Sequence, residues 1–213
     1  MIVLSLAPLV RCSFRTDLDR LGHHLHMDSG ESEISKSALQ LIAGIHERTL
    51  GTEALETFQI KRTLVTLARR DRDLIEAEWL ALDLMSSTSA IYGAINERAR
   101  SSMTELVHVL KDQGKYIQAL ELCQDVLRRG QQDLGAQFPD ARNIYVLEDM
   151  AELTALHDQM PQSIAWLSKA HRAAITTWGE SDPPTVYIRQ KLDAALMKNE
   201  KDTLTQLGLE PAA

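Results

Sequence analysis

Residues 106–139 read LVHVLKDQGKYIQALELCQDVLRRGQQDLGAQFP, and this stretch decides the fold. Apolar residues fall at 106, 107 and 110, then at 116, 117, 120, 122, 123, 126 and 127. Spacings of three and four on either side of Gly114 describe two amphipathic helices joined by a tight turn. Gly114 relieves the steric cost of that turn, and Ala119 lets the second helix approach the first closely. One such hairpin cannot bury its apolar faces alone, so copies are expected on either side.

Setting the chain against itself supplies them. Leu134-Gly135 is echoed by Leu50-Gly51, Tyr92-Gly93 and Trp178-Gly179, whose glycines are separated by 42, 42 and 44 residues. A second marker lies 21 residues upstream of each, at Gly30, Arg72, Gly114 and Asp158. The small residue after the turn recurs as Ser35, Ala77, Ala119 and Ser163.

These residues resemble a known family. Residues 106–127 look like a tetratricopeptide repeat, with Gly114, Tyr116, Ala119 and Leu127 on its pattern positions. The long unit and the closing Leu-Gly-x-x-x-Pro resemble the kinesin light chain subtype. That subtype also forms C-terminal sensor arrays in fungal signalling ATPases of the NB-ARC and NACHT types. Arg20-Leu-Gly-His-His-Leu-His, followed by His46-Glu-Arg-Thr-Leu-Gly, is similar to the first repeat of such arrays. The resemblance spans roughly residues 16–185 and implies an all-α, right-handed superhelical solenoid of about four helical hairpins plus a C-terminal capping helix. The expected units are about 16–57, 58–99, 100–140 and 141–185, with a cap at 186–199 and a flexible tail at 200–213.

Composition agrees. Of 213 residues, 44% are hydrophobic and 25% charged, which is globular rather than disordered. The 5% aromatic content and few β-branched runs disfavour a sheet. A net charge of −7 without a basic block argues against nucleic acid as a partner. Cys12 and Cys123 stand far apart and make no disulfide framework, so a reducing, cytoplasmic setting is the default.

Residues 1–15 form an apolar N-terminal segment opening MIVLSLAPLV. It lacks a preceding basic residue and an Ala-x-Ala-like end, which disfavours a signal peptide. It is also too short to span a bilayer as a helix. It reads as the remnant of an upstream element, which would make the chain part of a larger protein or a truncated product.

The first helix is expected over about 16–28 and the second over 33–48, with Ala38, Leu39, Leu41, Ile42 and Ile45 inward. Thr57 is placed as an N-cap of the next helix, and 74–98 as the longest helical stretch. Ser86-Ser-Thr-Ser89 within it reads as a solvated segment or a weakly signalled phosphorylation site. Trp79, Trp166 and Trp178 are assigned to core or inter-repeat packing.

A search for chemistry finds no His-Glu-x-x-His, Cys-x-x-Cys, Gly-x-Ser-x-Gly, dinucleotide glycine pattern or nucleotide-binding loop. His23 and His26 are one turn apart but lack a nearby third ligand, so no metal or other cofactor is expected. Cys123 sits at a helix-packing position and reads as buried and inert. The chain is expected not to be an enzyme.

In proteins of this resemblance the first helix of each unit lines a concave groove for a peptide. Alignment on the turns brings Arg62, Thr66, Arg69 and Arg70 to it from the second unit. The third unit brings Thr104, His108, Lys111 and Asp112, and the fourth Tyr145, Glu148 and Glu152; His23 and His26 are placed there from the first. Kinesin-light-chain-type repeats carry an Asn-Asn pair at the positions of Arg62-Thr63, Thr104-Glu105 and Glu148-Asp149, and none of these is Asn. Charge replaces it, which favours selective capture of a charged peptide or protein partner. The alternative is a structural or autoinhibitory sensor segment of a larger NB-ARC/NACHT-type receptor, in contact with its own chain. Neither nucleic acid nor membrane is an expected partner.

Overall fold

The computed structural model describes residues 32–49, 51, 54–135 and 139–206. The expected first helix, Gly30, Cys12, His23, His26 and the end of the tail lie outside them, as do the side chains of Ser35 and Ala38. Eight helices and no strand are found among the described residues: α1 Ser32–Thr49, α2 Leu55–Arg70, α3 Leu74–Tyr92, α4 Glu97–Asp112, α5 Tyr116–Leu134, α6 Ala141–Leu156, α7 Met160–Trp178 and α8 Pro183–Gln206. The chain divides into two compact units at Ile60/Lys61, inside α2.

In the first unit, α1 buries Leu39, Ala43 and His46, whereas Leu41 and Ile45 are exposed. The inward face of α1 is thus narrower than the apolar spacing suggests. Thr57 is not a cap: α2 begins at Leu55, and the buried Thr57 hydroxyl donates to the Gly51 carbonyl at 3.1 Å.

The second unit is built by repetition of one turn. Arg72, Gly114 and Asp158 all have positive φ, at 64°, 75° and 56°. After each, the next amide reaches back five residues: Asp73 N–H to Ala68 C=O, Lys115 N–H to Leu110 C=O and Gln159 N–H to Thr154 C=O, at 3.0, 2.9 and 2.8 Å. This bond closes the preceding helix by satisfying a terminal carbonyl. The backbone therefore takes the same left-handed turn whether or not the residue is glycine.

Helices α3 to α8 pack each against the next in chain order. Ala77, Ala119 and Ser163, the small residues after each turn, are all buried. The core comprises Met103, Leu106, Val107 and Val109 on α4, Cys123 and Val126 on α5, and Ile144, Leu147, Met150 and Leu153 on α6. Ile144, Leu147, Ala170, Ala174 and Ile188 form one cluster, with Trp166 and Trp178 packed against it half-buried. Gly130, buried on α5, lies against Asn143 of α6.

Four expectations are corrected here. Trp79 is not core: it is 66% exposed, in a stripe with Ile75 and Leu82. Burial of Ala77, Ala81, Leu84 and Thr88 fixes the inward face of α3, and at about 100° per residue position 79 points the other way. The stretch 74–98 is not one helix, because Gly93 ends α3 and Asn96 caps α4, its side chain accepting from Arg98 N–H. Nor is Ser86–Ser89 uniformly solvated. Thr88 is buried, its hydroxyl 2.7 Å from that of Ser102 on α4. The final helix is longer than the expected cap, running from Pro183 to Gln206.

Candidate functional site

In the second unit the first helices of successive hairpins, α2 from Lys61 onward, α4, α6 and α8, are joined by a ladder of ion pairs. Between α2 and α4, Arg62 pairs with Glu105, and Arg69 Nε donates to Asp112 Oδ2 at 2.7 Å. Between α4 and α6, Lys111 Nζ donates to Glu152 Oε2 at 3.0 Å, and His108 Nε2 lies 3.3 Å from Asp149 Oδ2. Lys191 Nζ of α8 then donates to Glu148 Oε1 at 3.0 Å. Burial pulls the Lys191 ammonium down, but the Glu148 hydrogen bond and charge outweigh it and hold its pKa above the ordinary value.

Arg62, Glu105, Glu148 and Asp149, each part of a rung, stand at positions where the resemblance led asparagine to be expected. Glu105 is almost fully buried, so Arg62, itself half-exposed, is its counter-charge. The charged residues of the first helices were expected to face a partner. Instead each sign is spent on its neighbour, because adjacent first helices bring residues 41 to 43 apart in sequence into contact.

Beside the ladder opens a groove of about 720 Å³. Of the expected residues, Arg62, Thr104, His108, Tyr145, Glu148 and Glu152 line it. Thr66, Arg69, Arg70 and Lys111 do not, and His23 and His26 lie outside the described residues. The groove adds residues the sequence reading missed: Pro183, Pro184, Tyr187 and Lys191 of α8, with Ser101, Arg142 and Asp149. One signal was available for Tyr187, since the 42-residue interval carried onward from Tyr145 lands on it.

Tyr145 and Tyr187 are 51% and 55% exposed, and Pro183 and Pro184 open α8 beside them. Tyr145 also rests on Trp178, ring centroids 5.9 Å apart, which fixes its plane. Lys191 Nζ sits 4.6 Å from the Tyr187 centroid. One end of the groove is thus an aromatic and proline surface edged by carboxylates already holding partners.

Among the described residues no group of three His, Cys, Asp or Glu is placed to hold a metal ion. Cys123 is fully buried, and burial pushes its thiol far above the ordinary range, so it is no nucleophile. No described helix is long and apolar enough to cross a membrane.

No protein-family model and no curated protein sequence matches the chain. Among solved structures, two of Podosopora anserina putative kinesin light chain nearly identical TPR-like repeats, one of them a single-substitution form, superpose with TM-scores of 0.67 and 0.66. Each is 16% identical, covering 89% of this chain and 90% of its own. BtubC (BKLC) from P. vanneervenii superposes with a TM-score of 0.64 at 14% identity, over 98% of this chain and 91% of its own. Their all-helical repeats, the recurring left-handed turn and the packing of successive hairpins describe one architecture: the chain has the TPR-like repeat fold of kinesin light chain-type proteins.

Proposed function

We propose that the protein is a non-enzymatic interaction module that captures a peptide segment of a partner protein along the groove of its first helices. The observation that carries this reading is the pair of exposed tyrosines beside Pro183 and Pro184, facing a groove whose charges are already matched. Large amphipathic rings left in solvent supply contact area at low entropy cost, as binding surfaces require. The matched charges do not supply much raw affinity. They select, because a segment must present groups that fit the alternating pattern or leave a rung unpaired. A charged peptide with an apolar or aromatic anchor fits this surface better than nucleic acid or a lipid surface.

Peptide display against the protein tests the reading, with Tyr145→Ala and Tyr187→Ala as controls. Sequences enriched on the unsubstituted protein are expected to lose roughly tenfold or more in affinity on either variant, as anchor contacts do. Equal affinity for all three proteins would place binding elsewhere. Autoinhibitory contact with a longer chain of its own would use the same tyrosines, with the ligand supplied in cis.

A further inference from the structure

A second groove, of about 1010 Å³, runs between the second helices α5 and α7 and shares no lining residue with the first. Its floor is apolar, formed by Leu127 and Leu134 of α5 with Trp166 and Ala173 of α7. Its rim is basic. Arg128 on α5 faces Lys169 and Arg172 on α7, while the acidic lining residue Asp140 is occupied as the cap of α6, accepting from the Asn143 amide and side chain.

The state of those cations distinguishes this groove from the ladder. Every rung of the first groove is neutralised across helices. Lys169 and Arg172, by contrast, are exposed and meet no carboxylate among the described residues; Lys169 Nζ rests 4.2 Å from the Trp166 ring centroid. Arg128 shares Asp125, one turn away on its own helix. In a chain of net charge −7, this is a local surplus of positive charge over an apolar floor.

We infer that the α5/α7 groove docks an acidic amphipathic helix of a partner protein. Lining residues recur along α7 from Trp166 to Thr177 and along α5 from Leu127 to Leu134, so the groove follows about three helical turns, roughly 16 Å. A helix of that length sets aliphatic side chains at every third or fourth position onto the Leu127, Leu134 and Trp166 floor. Its carboxylates, on the flanks of the same face, reach Lys169 and Arg172. Complementary sign steers the encounter and rejects basic helices, while the floor supplies the contact area. This inference does not rest on the first-helix groove, and either surface can fail without the other.

The test uses the full chain and a labelled synthetic helix with Leu at every third or fourth position and Glu flanking, followed by fluorescence anisotropy. Two control peptides replace Leu with Ala or Glu with Lys. The acidic amphipathic peptide is expected to bind, both controls to lose at least about tenfold, and binding to weaken as salt screens the exposed cations. The double variant Lys169→Glu, Arg172→Glu changes only exposed side chains and is expected to lose binding at least about tenfold while keeping its circular dichroism and melting midpoint. Tyr145→Ala should bind as the parent does. The inference is overturned if the parent does not bind the acidic peptide, if the Lys-substituted peptide binds equally, or if the double reversal binds unchanged. It is overturned also if binding is lost in Tyr145→Ala. Self-association that disappears on the double reversal, seen by sedimentation, would make a second copy the occupant and equally overturn it.

Discussion

A methyl group on Gly130 would lie 2.6 Å from the Asn143 side-chain oxygen and 3.2 Å from its Cγ, so the absence of a side chain on α5 sets the approach of α6. Asn143 is buried and cannot swing into water, since its amide donates to Asp140 Oδ1 at 2.6 Å. Gly130→Ala should therefore lower stability by about 1–2 kcal/mol, overpacking outweighing the roughly 1 kcal/mol gain in helix propensity. Denaturant midpoints decide it, and a second substitution, Asn143→Ala, should make the alanine at 130 less harmful. A stabilised Gly130→Ala would mean that α6 shifts freely.

The shared turn makes a prediction of opposite signs. Arg72 and Asp158 adopt the left-handed conformation that Gly114 adopts without strain. Arg72→Gly and Asp158→Gly should each raise stability by about 0.5–1 kcal/mol, and Gly114→Ala should lower it by about 1–2 kcal/mol. No neighbouring atom lies within 4 Å of a Cβ built on Gly114, so its penalty is backbone strain alone. Thermal melts of the three variants check the signs.

The Arg62–Glu105 rung should respond asymmetrically. Arg62→Ala leaves a buried carboxylate with, among the described residues, only the His108 ring within ion-pair distance, at 4.0 Å, and should cost about 1–3 kcal/mol. Glu105→Gln removes the buried charge and leaves Arg62 half in solvent, which should cost less. In the double variant, Arg62→Ala should add little to Glu105→Gln. Chemical denaturation of the cycle measures the coupling; additive losses would show that the pair does not interact.

Acid should dissolve one specific tie. Gln113 donates to Glu78 Oε2 at 2.8 Å and Lys115 at 3.0 Å, and these hydrogen bonds hold the Glu78 carboxyl below its ordinary value of 4.5. A depressed carboxyl stabilises the fold fully above its unfolded value and loses that contribution as pH falls through the lower folded value. The stability gap between the parent and Glu78→Gln should therefore stay level from neutral pH down to about 5 and close below 4.5. Melting midpoints of both proteins across that range provide the measurement. A gap that widened in acid would reverse the sign of the argument.

The repeat was legible because its markers are backbone requirements. Gly51, Gly93, Gly135 and Gly179 all have positive φ, and such positions recur in sequence as fixed punctuation. The inward alanines were legible for a similar reason, since a helix crossing tolerates few side chains. Trp79 was misread because α3 carries two apolar faces, Ala77-Ala81-Leu84 and Ile75-Trp79-Leu82, with the same helical period. Periodicity does not say which of two such faces turns inward. The residues of the groove could be aligned from the turns, but their pairing could not. Arg62 meets Glu105 only because adjacent helices stack in one register, and sequence spacing alone carries no record of that. Lys169 and Arg172 attracted no notice for the opposite reason: they stand out only once every other cation nearby is seen to be occupied.

The ladder also bears on how the chain comes apart. In a repeat array, stability is a sum of terms within each unit and terms between neighbours, and their ratio sets how many units melt as one. The rungs Arg69–Asp112, Lys111–Glu152 and Glu148–Lys191 belong wholly to the second kind, because each joins one hairpin to the next. They are partly exposed, so added salt weakens them while leaving the apolar core of each hairpin almost untouched. Ionic strength is therefore a dial on cooperativity. At low salt the hairpins should exchange their amide hydrogens as a block, and at high salt the terminal α8 should open before the rest.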